Sequence, residues 1–183
     1  MNERSSRRAL LAATGGVLAL AGCLGDEAEP NEESTTEQPV DDWQETTLED
    51  VTTDETFSIA ELDRPVVIHT FATFCPTCNS HQDGVSEEYD DVRDEIVFLD
   101  LAIEGANDAD DVRAHAEDNG HDWRFALAAD SFTSALIEEF GQSVAVHAQS
   151  PLIVVCPDGE TDTLEKPATV GEIERTVEST CER

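Results

Sequence analysis

From about residue 56 onward, short apolar runs alternate with longer stretches in which apolar residues recur every three or four positions. The run Val66-Val67-Ile68-His69-Thr70-Phe71 is β-branched and aromatic with no polar alternation, which predicts a central strand covered on both faces. From Pro76 the spacing changes. Cys78, Val85, Tyr89 and Val92 fall on one helical face, with Gly84 inside the helix expected to weaken or bend it. Ile96 to Ile103 reads as a second buried strand. A helix between two such strands predicts a parallel, right-handed βαβ unit. Asp108 to Asn119 then predicts a helix closed by Gly120, Trp123 to Leu127 a short strand, and Ser131 to Phe140 a helix followed by Gly141. Pro151 to Cys156 predicts a strand, Pro157-Asp158-Gly159 a turn, and Glu160 to Leu164 its antiparallel return. Thr169 to Thr180 predicts a last helix with Ile173 and Val177 inward. Phe57 and Ile59 suggest a short strand or turn at the entrance, so the folded domain is placed at residues 46–183. The order implies an α/β domain with a central mixed β-sheet flanked by helices.

The chain ahead of this domain has a different character. Arg4, Arg7 and Arg8 precede an apolar run, Ala9 to Ala21, that is too short to span a bilayer as a stable helix. The Arg7-Arg8 pair after two serines looks like a twin-arginine export signal. The run ends in Leu20-Ala21-Gly22-Cys23, which resembles a lipobox, so residues 1–22 are expected to be a removable signal peptide and Cys23 the lipidated first residue of the mature chain. Residues 23–45 are acidic, with almost no large apolar side chain. Such a segment cannot bury enough surface to order itself, and is expected to act as an extended tether.

Charge narrows the partners. With 42 acidic and 10 basic residues the formal net charge is -32, and Lys166 is the sole lysine. An acidic surface repels nucleic acid, so no such partner is expected. Abundant acid with scarce lysine is similar to proteins of halophilic archaea, where high salt screens the self-repulsion.

The chemistry concentrates at Phe74-Cys75-Pro76-Thr77-Cys78. Two residues between cysteines in the first turn of a helix bring the sulfurs within bonding reach. The helix N-terminus supplies free N–H groups and partial positive charge, which favour a thiolate at Cys75. Cys78, one turn further in, is placed to resolve a mixed disulfide. Pro76 suits the first helical position because its missing N–H has no intrahelical partner to lose. A zinc knuckle would need a second ligand pair, which the sequence does not offer at the usual spacing.

Residues 66–78, Ser150-Pro151-Leu152-Ile153-Val154-Val155 and Pro157-Asp158-Gly159 together resemble the active-site strand, the cis-proline strand and the hairpin turn of TlpA/ResA-type thioredoxin-like proteins. The resemblance covers roughly residues 46–180. It implies a thioredoxin-like fold and a protein thiol–disulfide oxidoreductase with a redox-active disulfide and no organic cofactor. Its partners would be protein thiols or disulfides, with apocytochromes and copper-site proteins as candidate clients. It further implies a cis peptide before Pro151, facing the CxxC, with backbone groups of Ser150 offered to a substrate strand. Phe74 stands where the family usually has Trp. His69, six residues before Cys75, stands where thioredoxins carry a buried acid. It reads either as a base taking the Cys78 proton or as a neutral buried imidazole.

Cys156 and Cys181 are the candidate pair for a structural disulfide, the alternative being a buried free thiol and a terminal one. His81, His115 and His121 read as solvated surface residues, and Trp43 and Trp123 as packing residues. The chief rival function is a copper chaperone of SCO type using Cys75, Cys78 and His147, since two thiolates and an imidazole suit copper. A peroxiredoxin-type reading lacks that family's local setting around the first cysteine. The expected product is a monomer held by lipid on the extracytoplasmic face of the cell membrane. Replacing Cys23→Ser should therefore release the exported protein into the soluble fraction. Membrane recovery equal to wild type after fractionation would refute the anchor.

Overall fold

The computed structural model describes residues 42–103 and 108–182. The signal peptide, Cys23 and nearly all of the expected tether lie outside these residues. Order is already present ahead of Thr46. Asp42 caps a short 3-10 turn, Trp43–Glu45, by accepting from the Gln44 N–H. The Trp43 indole is buried, edge-on to Phe132 and Phe140, with its N–H directed to Glu139. The core thus recruits residues that sequence composition assigns to the tether.

A small antiparallel hairpin follows, β1 (Leu48–Asp50) with β2 (Glu55–Phe57). The main sheet contains β3 (Val66–Phe71), β4 (Val97–Ala102), β5 (Arg124–Leu127), β6 (Leu152–Val155) and β7 (Thr161–Leu164), in the order β5-β4-β3-β6-β7. β3 pairs parallel to β4, and β4 parallel to β5, while β6 runs antiparallel to both β3 and β7. The helices are α1 (Pro76–Ser86), α2 (Tyr89–Val92), α3 (Ala109–Asn119), α4 (Asp130–Phe140) and α5 (Val170–Cys181). Among the described residues no helix is long and apolar enough to cross a membrane.

Every residue of β3, β4 and β6 is buried, as predominantly apolar runs predict, and the burial includes the polar His69, Thr70 and Asp100. The alternation of a strand sends Val67 and Phe71 to one face, with Val85 of α1, Val112 of α3 and Ile173 of α5. It sends Val66 and Ile68 to the other, with Phe132 and Leu136 of α4. Helix ends follow their local chemistry. Gly120 closes α3 in the left-handed conformation at φ 69°, and a reciprocal capping box between Thr169 and Glu172 opens α5.

The helix expected to run from Pro76 to Val92 is interrupted. Glu88 N–H turns back to Val85 O at 3.1 Å, ending the α1 ladder before α2 begins at Tyr89. Gly84 and Ser86 are weak helix formers, and Glu87 and Glu88 bring negative charge to a helix C-terminus that prefers cations.

Cys156, just past β6, and Cys181, at the end of α5, are joined as a disulfide that closes a 25-residue separation. The bridge ties the last helix to the sheet. In the chain-entropy picture a loop of this length adds about 3–4 kcal/mol to stability. Replacing both cysteines by alanine should lower the unfolding free energy by that amount in urea titrations, with an unchanged circular-dichroism spectrum before the transition. A change under about 1 kcal/mol would show that the bridge constrains little.

Candidate functional site

β3 leads from the middle of the sheet to the turn Ala72–Phe74, where Cys75 N–H bonds Ala72 O at 2.9 Å. Cys75 then takes the N-cap position of α1 with extended backbone, and Pro76 occupies the first turn. The Cys78 N–H points at Cys75 Sγ, 3.3 Å away. Cys75 and Cys78 are disulfide-bonded, with Cα atoms 5.3 Å apart. The N-cap sulfur therefore sits where a side-chain oxygen ordinarily satisfies the orphan amides, and a thiolate there is stabilised by the same N–H group and helix dipole. Phe74 is 59 % exposed and stacks edge-on against the His147 ring at 5.5 Å. It forms an apolar rim beside the disulfide.

Beneath Cys78 lies a file of polar groups built by strand register. In the parallel β3–β4 pair His69 stands directly beside Asp100. His69 Nδ1 is 2.5 Å from Asp100 Oδ1, and the Trp123 indole N–H donates to Asp100 Oδ2. On the other side, His69 Nε2 lies 2.9 Å from Lys166 Nζ. Lys166 also donates to His147 O and to Ser150 Oγ, and its Nζ is 3.8 Å from Cys78 Sγ. The Cys78 sulfur is 3.3 Å from His147 O.

Donor and acceptor capacities decide the tautomer of the central ring. A carboxylate only accepts and an ammonium only donates, so neutral His69 carries its proton on Nδ1, toward Asp100, and accepts through Nε2 from Lys166. Burial pushes His69 below its ordinary range, with Asp100 opposing and Lys166 reinforcing the shift. Burial alone would raise the Asp100 carboxyl, but His69 and the indole N–H hold it below the usual carboxylate range. Burial lowers Lys166 to about 8 against the partial restraint of Asp100. An ammonium with that value is close to the point where it can surrender a proton at neutral pH.

Several sequence-based expectations meet this geometry differently. His69 lies beneath the CxxC as expected, yet its ring contacts Lys166, which stands between it and Cys78. The peptide before Pro151 is trans; among the described residues the cis bond is Lys166-Pro167. The loop ahead of Pro151 closes on itself, with Gln149 and Ser150 N–H groups both directed to Val146 O. Ser150 is fully buried and its amide is committed there, so that N–H is not offered to a substrate strand. The carbonyl that faces the Cys78 sulfur belongs to His147. For the copper alternative, His147 turns its backbone oxygen toward Cys78 and packs its ring on Phe74. Among the described residues no three His, Cys, Asp or Glu side chains are gathered to hold a metal.

His81, His115 and His121 are buried, contrary to their expected solvation. Helical register explains two of them: His81 follows Cys78 by three residues in α1, and His115 follows Val112 by three in α3, so both share the inward face. His115 Nε2 pairs with Gln82 Oε1 at 2.9 Å, and His121 stacks on Trp123 at 4.5 Å. The packing role of both tryptophans holds, with Trp123 additionally orienting Asp100. Sequence reasoning missed Asp100 and Lys166, and gave Ser150 a backbone role where its side-chain hydroxyl is what meets Lys166. The available signals were an acid interrupting the apolar run Val97-Phe98-Leu99-Asp100-Leu101-Ala102, and a solitary lysine in a chain dominated by acid.

This five-stranded mixed sheet with helices on both faces, and a cysteine pair opening α1 at the C-terminal end of β3, is a thioredoxin-like fold. Solved structures with the same fold include a thiol:disulfide interchange protein of the thioredoxin family from Chlorobium tepidum TLS, at 19 % identity and TM-score 0.59, over 73 % of this chain and 91 % of that one. A secreted Mycobacterium tuberculosis disulfide oxidoreductase homologous to E. coli DsbE matches at 17 % identity and TM-score 0.54, over 75 % and 96 %. StoA from Bacillus subtilis matches at 17 % and 0.55, over 70 % and 92 %. No protein-family model matches the sequence, and no curated protein matches it.

The buried imidazoles make stability depend on pH. His81 packs edge-on against His69 at 4.9 Å, and burial, reinforced by the neighbouring His69 imidazole, lowers it from 6.5 to about 4. The unfolded chain therefore binds the His81 proton more readily than the folded one. The stability that depends on neutral His81 is complete above about pH 6.5 and is lost as pH falls toward 4, by about 3 kcal/mol. Urea titrations at constant ionic strength should show this fall, and His81→Leu should flatten it. An unchanged slope in the variant would show that His81 is not held neutral by the fold.

Proposed function

We propose that this protein is a thiol–disulfide oxidoreductase in which Cys75 exchanges with substrate sulfur and Cys78 resolves the mixed disulfide. The observation that carries this reading is the asymmetry of the pair. Cys75 caps the helix, with an amide N–H on its sulfur and the apolar Phe74 rim alongside. Both cysteines are buried, but Cys78 alone lies over groups able to hold and move a proton. The first position suits an attacking thiolate and a good leaving group, the second a thiol activated only once a substrate is attached. The likeness in fold to disulfide oxidoreductases from several bacteria supports the same reading.

The clients we propose are protein thiols or disulfides met after export, apocytochromes or copper-site proteins among them. The N-terminal apolar run and Cys23 support attachment to the outer face of the membrane through lipid, with the acidic residues between Cys23 and Asp42 spanning the gap to the domain. The redox-active disulfide carries the electron exchange without an organic cofactor, and the domain acts as a monomer.

Trapping separates the two thiols. Cys78→Ser should accumulate a mixed disulfide through Cys75 with an oxidised, disulfide-bearing protein client, seen as a reductant-sensitive band shift on a gel. Cys75→Ser should accumulate none. Trapping through Cys78 in the Cys75→Ser protein would reverse the assignment, and absence of trapping in both would remove the proposed function.

A further inference from the structure

Lys166 is carried to the site by the hairpin at the far edge of the sheet. β7 runs antiparallel to β6, and Leu164 pairs with Leu152, which in turn pairs with His69. Two residues beyond Leu164 the chain is level with the C-terminal end of β3, where the cysteine motif begins. The half-buried lysine reaches inward and its Nζ meets four groups: His69 Nε2 at 2.9 Å, Ser150 Oγ at 3.0 Å, Cys78 Sγ at 3.8 Å, and the His147 carbonyl oxygen. These contacts cluster on the resolving cysteine and leave Cys75 outside. Behind His69 the file ends on the Asp100 carboxylate, itself held by the Trp123 indole.

We propose that Lys166 exchanges a proton directly with Cys78 Sγ, and that His69 and Asp100 form the reservoir behind it. The inference rests on the oxidoreductase reading above and deepens it. Before resolution, the half-buried Lys166 ammonium gives up a proton, to solvent above about pH 8 or transiently to His69 Nε2 below it. The imidazolium so formed is stabilised by the Asp100 carboxylate at Nδ1. The Lys166 amine then takes the proton from the Cys78 thiol. The freed electron pair on Cys78 attacks Cys75 Sγ, the bond between Cys75 and the substrate sulfur breaks, and its electron pair departs on the substrate as a thiolate. Cys75 and Cys78 are oxidised to a disulfide while the substrate is reduced. The reverse direction uses the same steps: a substrate thiolate attacks Cys75, and Cys78 leaves as a thiolate that Lys166 protonates. The relay thus serves reduction and oxidation alike.

The surroundings of the ammonium support such a role. From α1 it faces Cys78 and, through His69, the neutral His81 ring. From β3 it faces His69, and from β4 the charge of Asp100. The loop before β6 presents only the uncharged Ser150 hydroxyl and the His147 carbonyl. Asp100 is thus the one anion named among these neighbours, and it is separated from Lys166 by the imidazole. Burial lowers the ammonium to about 8, within reach of the thiol it serves.

The test isolates the resolution step in the full chain carrying Cys23→Ser. The reduced Cys75–Cys78 pair is treated with one equivalent of dithiobisnitrobenzoate. A first thionitrobenzoate is released when Cys75 is captured, and a second when Cys78 attacks that adduct. Both are followed by absorbance across roughly pH 6 to 9. In the unaltered site the second release should rise with pH to a plateau above about 8. Lys166→Met should slow the second release about 100-fold near neutral pH and move its rise toward the ordinary thiol range, while the first release stays within a few-fold. Lys166→Arg should not restore the rate, because a guanidinium keeps its proton. Lys166→Gln, which can still donate to the His147 carbonyl, provides the same comparison if the methionine variant does not fold. Resolution in Lys166→Met or Lys166→Gln with unchanged rate and pH profile overturns the relay, as does full recovery by Lys166→Arg, which would show that charge alone suffices. Release of only one thionitrobenzoate by the unaltered site would instead defeat the oxidoreductase reading itself.

Discussion

The position of the Asp100 carboxylate governs the rest of the site. Parallel pairing of β3 with β4 sets it beside His69 on the face that α1 covers, away from water. An isolated carboxylate there would be unfavourable by several kcal/mol. It is tolerated because one oxygen meets the His69 imidazole and the other the Trp123 indole. That arrangement fixes the His69 tautomer, which turns a lone pair toward Lys166, which in turn brings its ammonium under Cys78. Each group limits what the next can do. Strand register, which is set by hydrophobic pattern and backbone pairing, thereby determines where a proton can be held relative to a sulfur atom.

The rest of the fold can be seen as support for this file. β6 contributes the central antiparallel pairing, and the loop before it supplies the His147 carbonyl and the Ser150 hydroxyl. β7 carries Lys166 to the correct end of the sheet. The Cys156–Cys181 bridge fastens α5 at the opposite end of β6, so the edge of the sheet that delivers the lysine is braced by a covalent link. The surface meanwhile is dominated by acid, and the sole lysine of the chain is turned inward. A cation that would be screened and solvated outside is used where low dielectric makes its interactions stronger.

Much of this was legible in the chain itself. The predominantly apolar runs of β3, β4 and β6, the three- and four-residue spacing in the helices, the glycines after α3 and α4, and the turn at Pro157-Asp158-Gly159 fixed the kinds of element and their order, because those signals are local. The CxxC with Pro76 placed two sulfurs within bonding reach at a helix N-terminus for the same reason: spacing within one helical turn is a short-range property. Local composition misled at Trp43, whose burial depends on a helix nearly a hundred residues away, and at His81 and His115, whose inward orientation depends on what their helices pack against.

What tertiary structure alone decided is the partnership of distant residues. His69 and Asp100 are 31 positions apart, His69 and Lys166 97 positions apart, and Lys166 and Cys78 88 positions apart. No periodicity links them, since each separation is set by helices and loops of no fixed length. The trans peptide before Pro151 and the inward turn of Ser150 likewise follow from how the loop 146–150 closes on Val146. Sequence by itself determined that two cysteines would meet at a helix N-terminus beside a buried strand, because neighbours along the chain enforce it. Which groups would govern the second sulfur was left to the sheet, because only pairing between strands brings a lysine, an imidazole and a carboxylate into one line.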